Sequence, residues 1–406
     1  MTGRLQPSPL PNGAVRQESL RSINLELVFR HIAAANRPIS RTELATVTGL
    51  TRPTITRIVE ELLSGRLIIE SSVAHNGRAG RPRVGLTLSR TGPVGLGLDI
   101  RADELAICVV DLSGTVRHLS FHRAASRDAP TVLADLAAMA RTTMEAVATD
   151  ELTVVTATLA APGPVHDGVV QSAPALGWRG VQAAGPLRDS LGIPAFVDNE
   201  ANLAALGEMY ASGTTDASFV YVSGGLDIGA GIVLDGQLMR GTRGWSGELG
   251  HVTVYPEGEP CPCGSRGCLQ TYAGLPVILG KERPPTGVTP EAVIINQAET
   301  GDPQTLAALE RAGTALGIAL SNVLNILDIN TVLLGGSFSL LSSWIIANVR
   351  AEIDRRVLTA SWAPIAIRPA MLGPDAAVIG AALTSIDQIR QHPTTWLAQQ
   401  PRPSWS

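Results

Sequence analysis

Three of the chain's four cysteines, Cys261, Cys263 and Cys268, sit in one short stretch of the sequence, and His251 lies ten residues before the first of them. One imidazole and three thiolates form a closed tetrahedral ligand set, the kind that holds a structural Zn²⁺. Pro262, Gly264 and Gly267 let the loop wrap tightly enough for the sulfurs to converge. A disulfide plus a spare thiol is the alternative. Cys261 and Cys263 are too close in sequence for an easy bridge, and a cysteine-poor chain is unlike a disulfide scaffold. Glu248 precedes His251 by three residues, so one turn presents both.

Gly247–His251 (GELGH) followed by the CxCGxxGC run at Cys261–Cys268 resembles the signature of the ROK family, which holds sugar kinases and transcriptional repressors. The resemblance runs from about Val94 to about Ile389. It implies an actin-like, sugar-kinase fold of two lobes with a cleft between them. It also implies that the zinc loop supports a sugar pocket, with Glu248 and His251 on the sugar hydroxyls. Asn199 and Glu200 match the family's Asn-Asp pair, and Gln270 stands where the family has Glu. These five, Asn199, Glu200, Glu248, His251 and Gln270, are the expected effector contacts. Carboxylates and amides suit vicinal hydroxyls, because they bond them in pairs.

The elements that must carry these residues are legible in part. VGLGLDI and LAICVVDLSG read as two strands around an Asp-containing turn, and FVYVSGGLDIGAGIVLDGQ repeats the scheme. Two copies of one strand-turn-strand pattern predict a duplicated α/β body. IPAFVDNEANLAALGEMY reads as a strand feeding a helix, Thr314–Leu327 as a helix, TVLLGGSF as a strand with a glycine turn, and AAVIGAALTSI as the closing helix.

Ahead of that body the pattern is different. Leu20, Ile23, Leu27, Phe29, Ile32 and Ala33 predict one broad apolar helix face. Ser40 with Glu43 three residues on reads as a capping box, opening a helix that carries Leu44, Ala45 and Val47 and stops at Gly49. Thr51 caps the next helix, with Pro53 in its first turn and Ile55, Ile58, Val59, Leu62 and Leu63 as its buried stripe. Two short helices around a glycine turn make a helix-turn-helix. Leu67–Val73 and Arg83–Leu88 read as a hairpin, the wing. Arg52, Thr54, Thr56 and Arg57 on the second helix, Arg41 on the first, and Arg78, Arg81 and Arg83 in the wing are the expected DNA contacts.

Charge agrees. Residues 1–90 hold 13 Arg and 6 Glu without Lys or Asp, a net of +7, whereas the whole chain is −4. A basic head on an acidic body points to an anionic partner for the head. Hydrophobic content of 45 % and charged content of 17 % describe a globular chain, not a disordered one. No apolar run has membrane-spanning length and no apolar signal core opens the chain, so a cytoplasmic protein is expected. The expected divisions are a flexible 1–18, a winged helix-turn-helix over 19–89, one lobe over 90–210, a second over 211–390 whose last helix returns to the first, and a loose tail over 391–406.

Against the family pattern, the phosphate-binding parts of a kinase are altered. Asp-Ile-Gly-Gly-Thr becomes Asp99-Ile100-Arg101-Ala102-Asp103, replacing two glycines by side chains. The Gly-Thr-Gly turn of the second lobe becomes Gly225-Leu226-Asp227. The family's Glu-Asn-Asp-Ala-Asn becomes Asp198-Asn199-Glu200-Ala201-Asn202, and Pro-Asn-Leu becomes Pro174-Ala175-Leu176. No catalytic residue is therefore expected. The leading expectation is a regulator, acting as a homodimer or dimer of dimers on a palindromic double-stranded DNA operator and sensing a sugar or sugar phosphate. The alternatives are a sugar kinase with an added head, and a constitutive DNA binder whose body only dimerises.

Overall fold

A computed structural model describes residues 17–72, 84–101, 103–213, 217–225, 227–285 and 287–399. Its contacts divide the chain into two compact units, one built up to Ser89 and again from Gln388 on, the other from Arg90 to Asp387.

The first unit, the head, opens with α1 (Gln17–Ala33), α2 (Arg41–Thr48) and α3 (Arg52–Ser64). The caps form as their sequences dictate. Ser40 and Glu43 close a reciprocal capping box, Gly49 ends α2 in the left-handed region, and Thr51 accepts from Thr54 N with Pro53 in the first turn. β1 (Ile68–Ser72) and β2 (Val84–Leu88) pair antiparallel, and Ile39 bridges to Leu86 on the hairpin's edge. Leu25, Val28, Phe29, Ile32, Leu44, Ile55, Ile58, Val59, Leu62, Leu67 and Leu86 form the core. This differs from the expected pattern at two helices. Leu20 and Ile23 are about half exposed, as is Val47, so α1 buries the face carrying Leu25 and Val28 and α2 buries only Leu44.

The second unit, the body, contains two five-stranded sheets. β3 (Gly92–Ile100), β4 (Glu104–Asp111) and β5 (Val116–Arg123) form an antiparallel meander. Helix α4 (Ala129–Ala148) leads to β6 (Leu152–Ala161), which lies parallel to β3. A small sheet of β7 (Val165–His166), β8 (Val169–Ala173) and β9 (Trp178–Gln182) follows, then α5 (Ala184–Leu191) and β10 (Ala195–Asn199), parallel to β6. Helix α6 (Glu200–Ser212) starts where β10 ends.

The second lobe repeats the order. β11 (Phe219–Gly224), β12 (Ile228–Leu234) and β13 (Gln237–Leu238) are the antiparallel meander. After the short helices α7 (Gln270–Ala273), α8 (Leu275–Leu279) and α9 (Pro290–Glu299) comes the long α10 (Pro303–Leu327). β14 (Thr331–Gly336) is parallel to β11, and β15 (Ala366–Pro369) is parallel to β14, with α11 (Ser337–Leu340) and α12 (Ser342–Arg356) between them. The two sheets thus run β5-β4-β3-β6-β10 and β13-β12-β11-β14-β15, the duplication that the repeated pattern predicts.

Helix α13 (Ala376–Gln391) follows β15. It packs on lobe 1 through glycines. A Cβ on Gly97 would stand 2.1 Å from Val378 O, and one on Gly380 only 1.9 Å from Leu203 O of α6. The sequence reads as a loose tail after Gln391, but Pro393–Leu397 forms a helix, α14, and Trp396 is buried in the head, its indole N–H donating to Gly65 O at 2.7 Å.

Candidate functional site

The floor of the body's cleft is assembled from strand ends. β3 ends at Asp99-Ile100, β10 delivers Asn199, and α6 begins with Glu200. Asp99 is buried, and burial raises its pKa against the pull of Arg101. Arg101 donates to Asp99 at 2.9 Å and to Asp375 at 2.8 Å, and its guanidinium lies 5.0 Å from the Phe121 ring centroid. A clamped guanidinium therefore stands in the turn directly after β3. Asp103 is exposed and pairs with Arg127 at 3.2 Å.

Glu200 is strongly perturbed at the start of α6. Burial first, then the carboxylates of Asp99 and Asp227, push its pKa up to about 8. Asp227 and Glu248 are also raised by burial, with His251 pulling both the other way. Four carboxyl groups thus share one recess whose main cation is already paired. Gly335, in the glycine turn of β14, has its own use: a Cβ there would lie 2.0 Å from the Tyr221 ring, so its bareness serves packing.

Four of the five expected sugar residues divide into two groups, and His251 belongs to the cysteine cluster described below. Glu200 and Glu248 are half-buried acids, and the Glu248 carboxylate helps to raise the Glu200 pKa. Asn199 and Gln270 have side chains committed to the frame. Asn199 caps α6 through Ala201 N and Asn202 N and donates to Gly163 O at 2.9 Å. Gln270 accepts from Ile228 N at 2.7 Å, fixing the start of β12 to the zinc-type loop. Asn202, buried in the same turn, has a side-chain oxygen without a partner among the described residues.

His251, Cys261, Cys263 and Cys268 converge, with one donor atom from each all within 4.8 Å of one another. Cys261 Sγ is 3.7 Å from His251 Nδ1, and Cys263 Sγ is 3.8 Å from Cys268 Sγ. A tetrahedral ion with bonds of ~2.0–2.3 Å sets neighbouring donors ~3.5–3.8 Å apart, so the cluster fits a metal ion. As bare thiols they are in conflict: burial first, then the neighbouring sulfurs, push Cys268 up to about 12, while Ser265 N–H holds Cys263 below its usual value. A bound cation would remove that conflict by favouring all three thiolates. Because Nδ1 faces the sulfur, the other ring nitrogen of His251 is the one left for a ligand.

On the head, Arg52, Thr56 and Arg57 are exposed on the first turns of α3, and Thr54 is half-buried with its hydroxyl 2.9 Å from that of Thr51. Arg41 pairs with Glu70 at 2.7 Å. Arg78, Arg81 and Arg83 lie outside the described residues.

The ROK family model matches residues 95–388. The chain belongs to the ROK family. It is 28% identical to the xylose repressor of Bacillus subtilis (strain 168) over 374 residues, covering 91% of this chain and 97% of that one. A glucokinase of Streptomyces coelicolor is 27% identical, but over 71% of this chain and 96% of its own. Among solved structures, a ROK family transcriptional regulator described as a homologue of the E. coli MLC protein matches at TM-score 0.75 and 26% identity, covering 94% of this chain and all of that one. A ROK glucokinase from Streptomyces griseus, solved with glucose and AMPPNP, matches at TM-score 0.62 and 26% identity over 72% of this chain. The body is therefore an actin-like ROK fold. The regulator and the repressor extend over nearly the whole chain, whereas the glucokinases cover less of it.

Sequence reasoning missed two contributors. Asp375, which neutralises Arg101, lies 274 residues from it. Arg240 pairs with Asp198 at 2.6 Å, next to Asn199. The one available signal was Arg101 itself: a charge directly after a buried strand needs a partner, though the sequence does not name it.

Proposed function

We propose that this protein is a transcriptional repressor of carbohydrate uptake or catabolism genes, controlled by a sugar held in the body's cleft. The observation that carries this is the joining, in one chain, of a winged helix-turn-helix with an exposed Arg-Thr recognition turn to a ROK body. The full-length similarity to a xylose repressor and to a ROK regulator supports it. Two such heads would read a palindromic operator from a homodimer or dimer of dimers, with α3 in the major groove and the wing arginines on the backbone or minor groove. Zn²⁺ is the ion that suits the His-Cys₃ set, where it would hold the His251 ring and its loop in place. A closed four-ligand site leaves no position for an activated water.

Phosphotransfer is not part of this reading. Arg101 and Asp227 occupy the two phosphate turns, and Glu200 moves the family's carboxylate outward by about one methylene, a displacement of the order that can cost ~10²-fold in rate. The similarity to glucokinases favours the second reading, a sugar kinase with a DNA-binding head. Gel retardation of fragments flanking the protein's own gene, with and without D-xylose or D-glucose, tests the first. Failure to retard any such fragment overturns it. Sugar-dependent ATP hydrolysis at ~1–10³ s⁻¹ would establish the second.

A further inference from the structure

The two acids expected on the sugar come from different lobes. Glu200 opens α6 at the end of β10, and Glu248 ends the loop that leaves β13. They are near enough for the Glu248 charge to act on Glu200. Two groups that grip one ligand from separate lobes need those lobes held in register, because ordering them at the moment of binding lowers affinity.

The loop from Arg240 to Gly247 makes that connection. Its ends are tied to β12 in lobe 2: Met239 N donates to Ile232 O at 2.8 Å, and Ala230 N donates to Gly247 O at 2.7 Å. Its base is closed, since Ser246 N donates to Arg240 O at 3.2 Å and the Ser246 hydroxyl donates to Met239 O. From this anchorage it reaches lobe 1 at two places. Towards β7, the Trp245 ring meets that of His166 at 6.1 Å, and a Cβ on Gly244 would stand 3.7 Å from Val165 O. Towards β10, Arg240 pairs with Asp198 at 2.6 Å.

Asp198 uses both carboxylate oxygens. Oδ2 takes the Arg240 guanidinium, while Oδ1 accepts from Asn199 N at 2.8 Å and from Asn202 Nδ2 at 3.5 Å. The turn that sets Glu200 is thereby fastened to the loop that ends at Glu248. An ion pair between two open side chains is worth little. Here the Asp198 side chain is only 17% exposed, against 47% for Arg240. Removing Arg240 would leave a largely buried carboxylate without its cation, so the turn would have to move to hydrate it.

We propose that Arg240 is a positioning residue of the sugar site: by holding Asp198, it keeps the Asn199-Glu200 turn of lobe 1 in register with Glu248 of lobe 2, so that both carboxyls meet one sugar. The assignment rests on the sugar-sensing reading and deepens it. Arg240 acts through Asp198, so its effect on affinity can be no larger than the strength of that pair.

The full chain is titrated by calorimetry with D-xylose and D-glucose, and its melting without sugar is recorded. Arg240→Gln and Asp198→Asn should each bind sugar ~5–10-fold more weakly, with sugar-free melting close to wild type. The double variant should bind no more weakly than either single one, because all three lack the same pair. Arg240→Lys keeps the charge and should stay within about threefold of wild type. Raising NaCl from about 0.05 to 0.5 M should weaken binding of these uncharged sugars in wild type and not in Arg240→Gln, since salt screens the half-exposed pair. Asp198→Asn breaks the pair from lobe 1 and keeps the test valid if Arg240→Gln folds poorly. Glu248→Gln should abolish binding. If Glu248→Gln does so while Arg240→Gln and Asp198→Asn bind within about twofold of wild type, Arg240 does not position the site and sugar sensing stands. Single losses that multiply in the double variant, or equal salt dependence in wild type and Arg240→Gln, overturn the positioning in the same way. A wild type that binds neither sugar overturns the sensing reading and the positioning with it.

Discussion

At the scale of single residues, Glu200 ties the cleft's chemistry to a measurable pH dependence. Its folded-state pKa of about 8 lies above the ordinary carboxylate value of 4.5. A raised carboxyl pKa means that the folded state binds the extra proton, so this contribution to stability is fully present below about pH 4.5 and is lost as pH rises through 8. Glu200→Gln keeps the shape and cannot ionise. Its melting temperature relative to wild type should therefore rise on going from pH 5 to pH 9, read by scanning fluorimetry in matched buffers. A constant difference across that range would show that burial and the neighbouring carboxylates do not hold Glu200 protonated. The His-Cys₃ cluster makes a second residue-scale prediction. Cys263→Ser should lose bound Zn²⁺, measured by elemental analysis, and blunt sugar-induced release of DNA, while sugar-free operator binding by the separate head persists. Release at the wild-type sugar concentration in a zinc-free mutant would contradict the coupling. The convergence of His251 with Cys261, Cys263 and Cys268 was legible because the four fall within one short stretch and their residue types suit one chemistry. Asp375 and Arg240 were not, because each acts through a partner far away in sequence.

At the scale of elements, local signals were reliable where the backbone itself makes the interaction. The capping box at Ser40, the Thr51 cap and the Gly49 stop lie where the sequence puts them, since each is a bond between near neighbours. The face of α1 was misread because Leu20 and Ile23 satisfy helical periodicity as well as Leu25 and Val28 do, and only the packed head decides between them. Helix α3 supports the next prediction. Arg57 is exposed and near the helix start, so Arg57→Ala should weaken specific operator binding by ~1–3 kcal/mol, as loss of a guanine contact does. Arg41→Ala should cost less, since its guanidinium is shared with Glu70. Fluorescence anisotropy with operator and scrambled duplexes at several salt concentrations separates the two, and equal losses on both duplexes would assign Arg57 to phosphate. The crossing of α6 and α13 gives a packing prediction. With 1.9 Å available to a Cβ on Gly380, Gly380→Val must push the helices apart and should destabilise the body by ~1–3 kcal/mol or more. Denaturant titration measures it.

At the scale of the whole molecule, the chain contributes to its head from both ends, and that is what the sequence hides best. Residues from Gln388 group with the head, although they follow the body in sequence. Nothing in PTTWL marks it as part of a core: five residues are too few for a periodic signal, and Trp396's partner, Gly65, is 331 positions away. The contact is nonetheless specific. Trp396 is 5% exposed and its N–H is bonded to Gly65 O, while a Cβ on Gly65 would stand 2.1 Å from a Leu397 methyl. Gly65 closes α3, so the contact braces the C-terminal end of that helix. Removing a buried tryptophan side chain costs ~3–5 kcal/mol, a large share of what a small domain has to lose. Truncation after Gln391, or Trp396→Ala in the full chain, should therefore lower the head's unfolding transition in calorimetry and weaken operator binding. Sugar-induced stabilisation of the body should stay as in wild type, because the cleft residues are untouched. Gly65→Ala should show the same split from the other side of the contact. If the head melts unchanged in all three variants, the C-terminal helix rests on the head without supporting it.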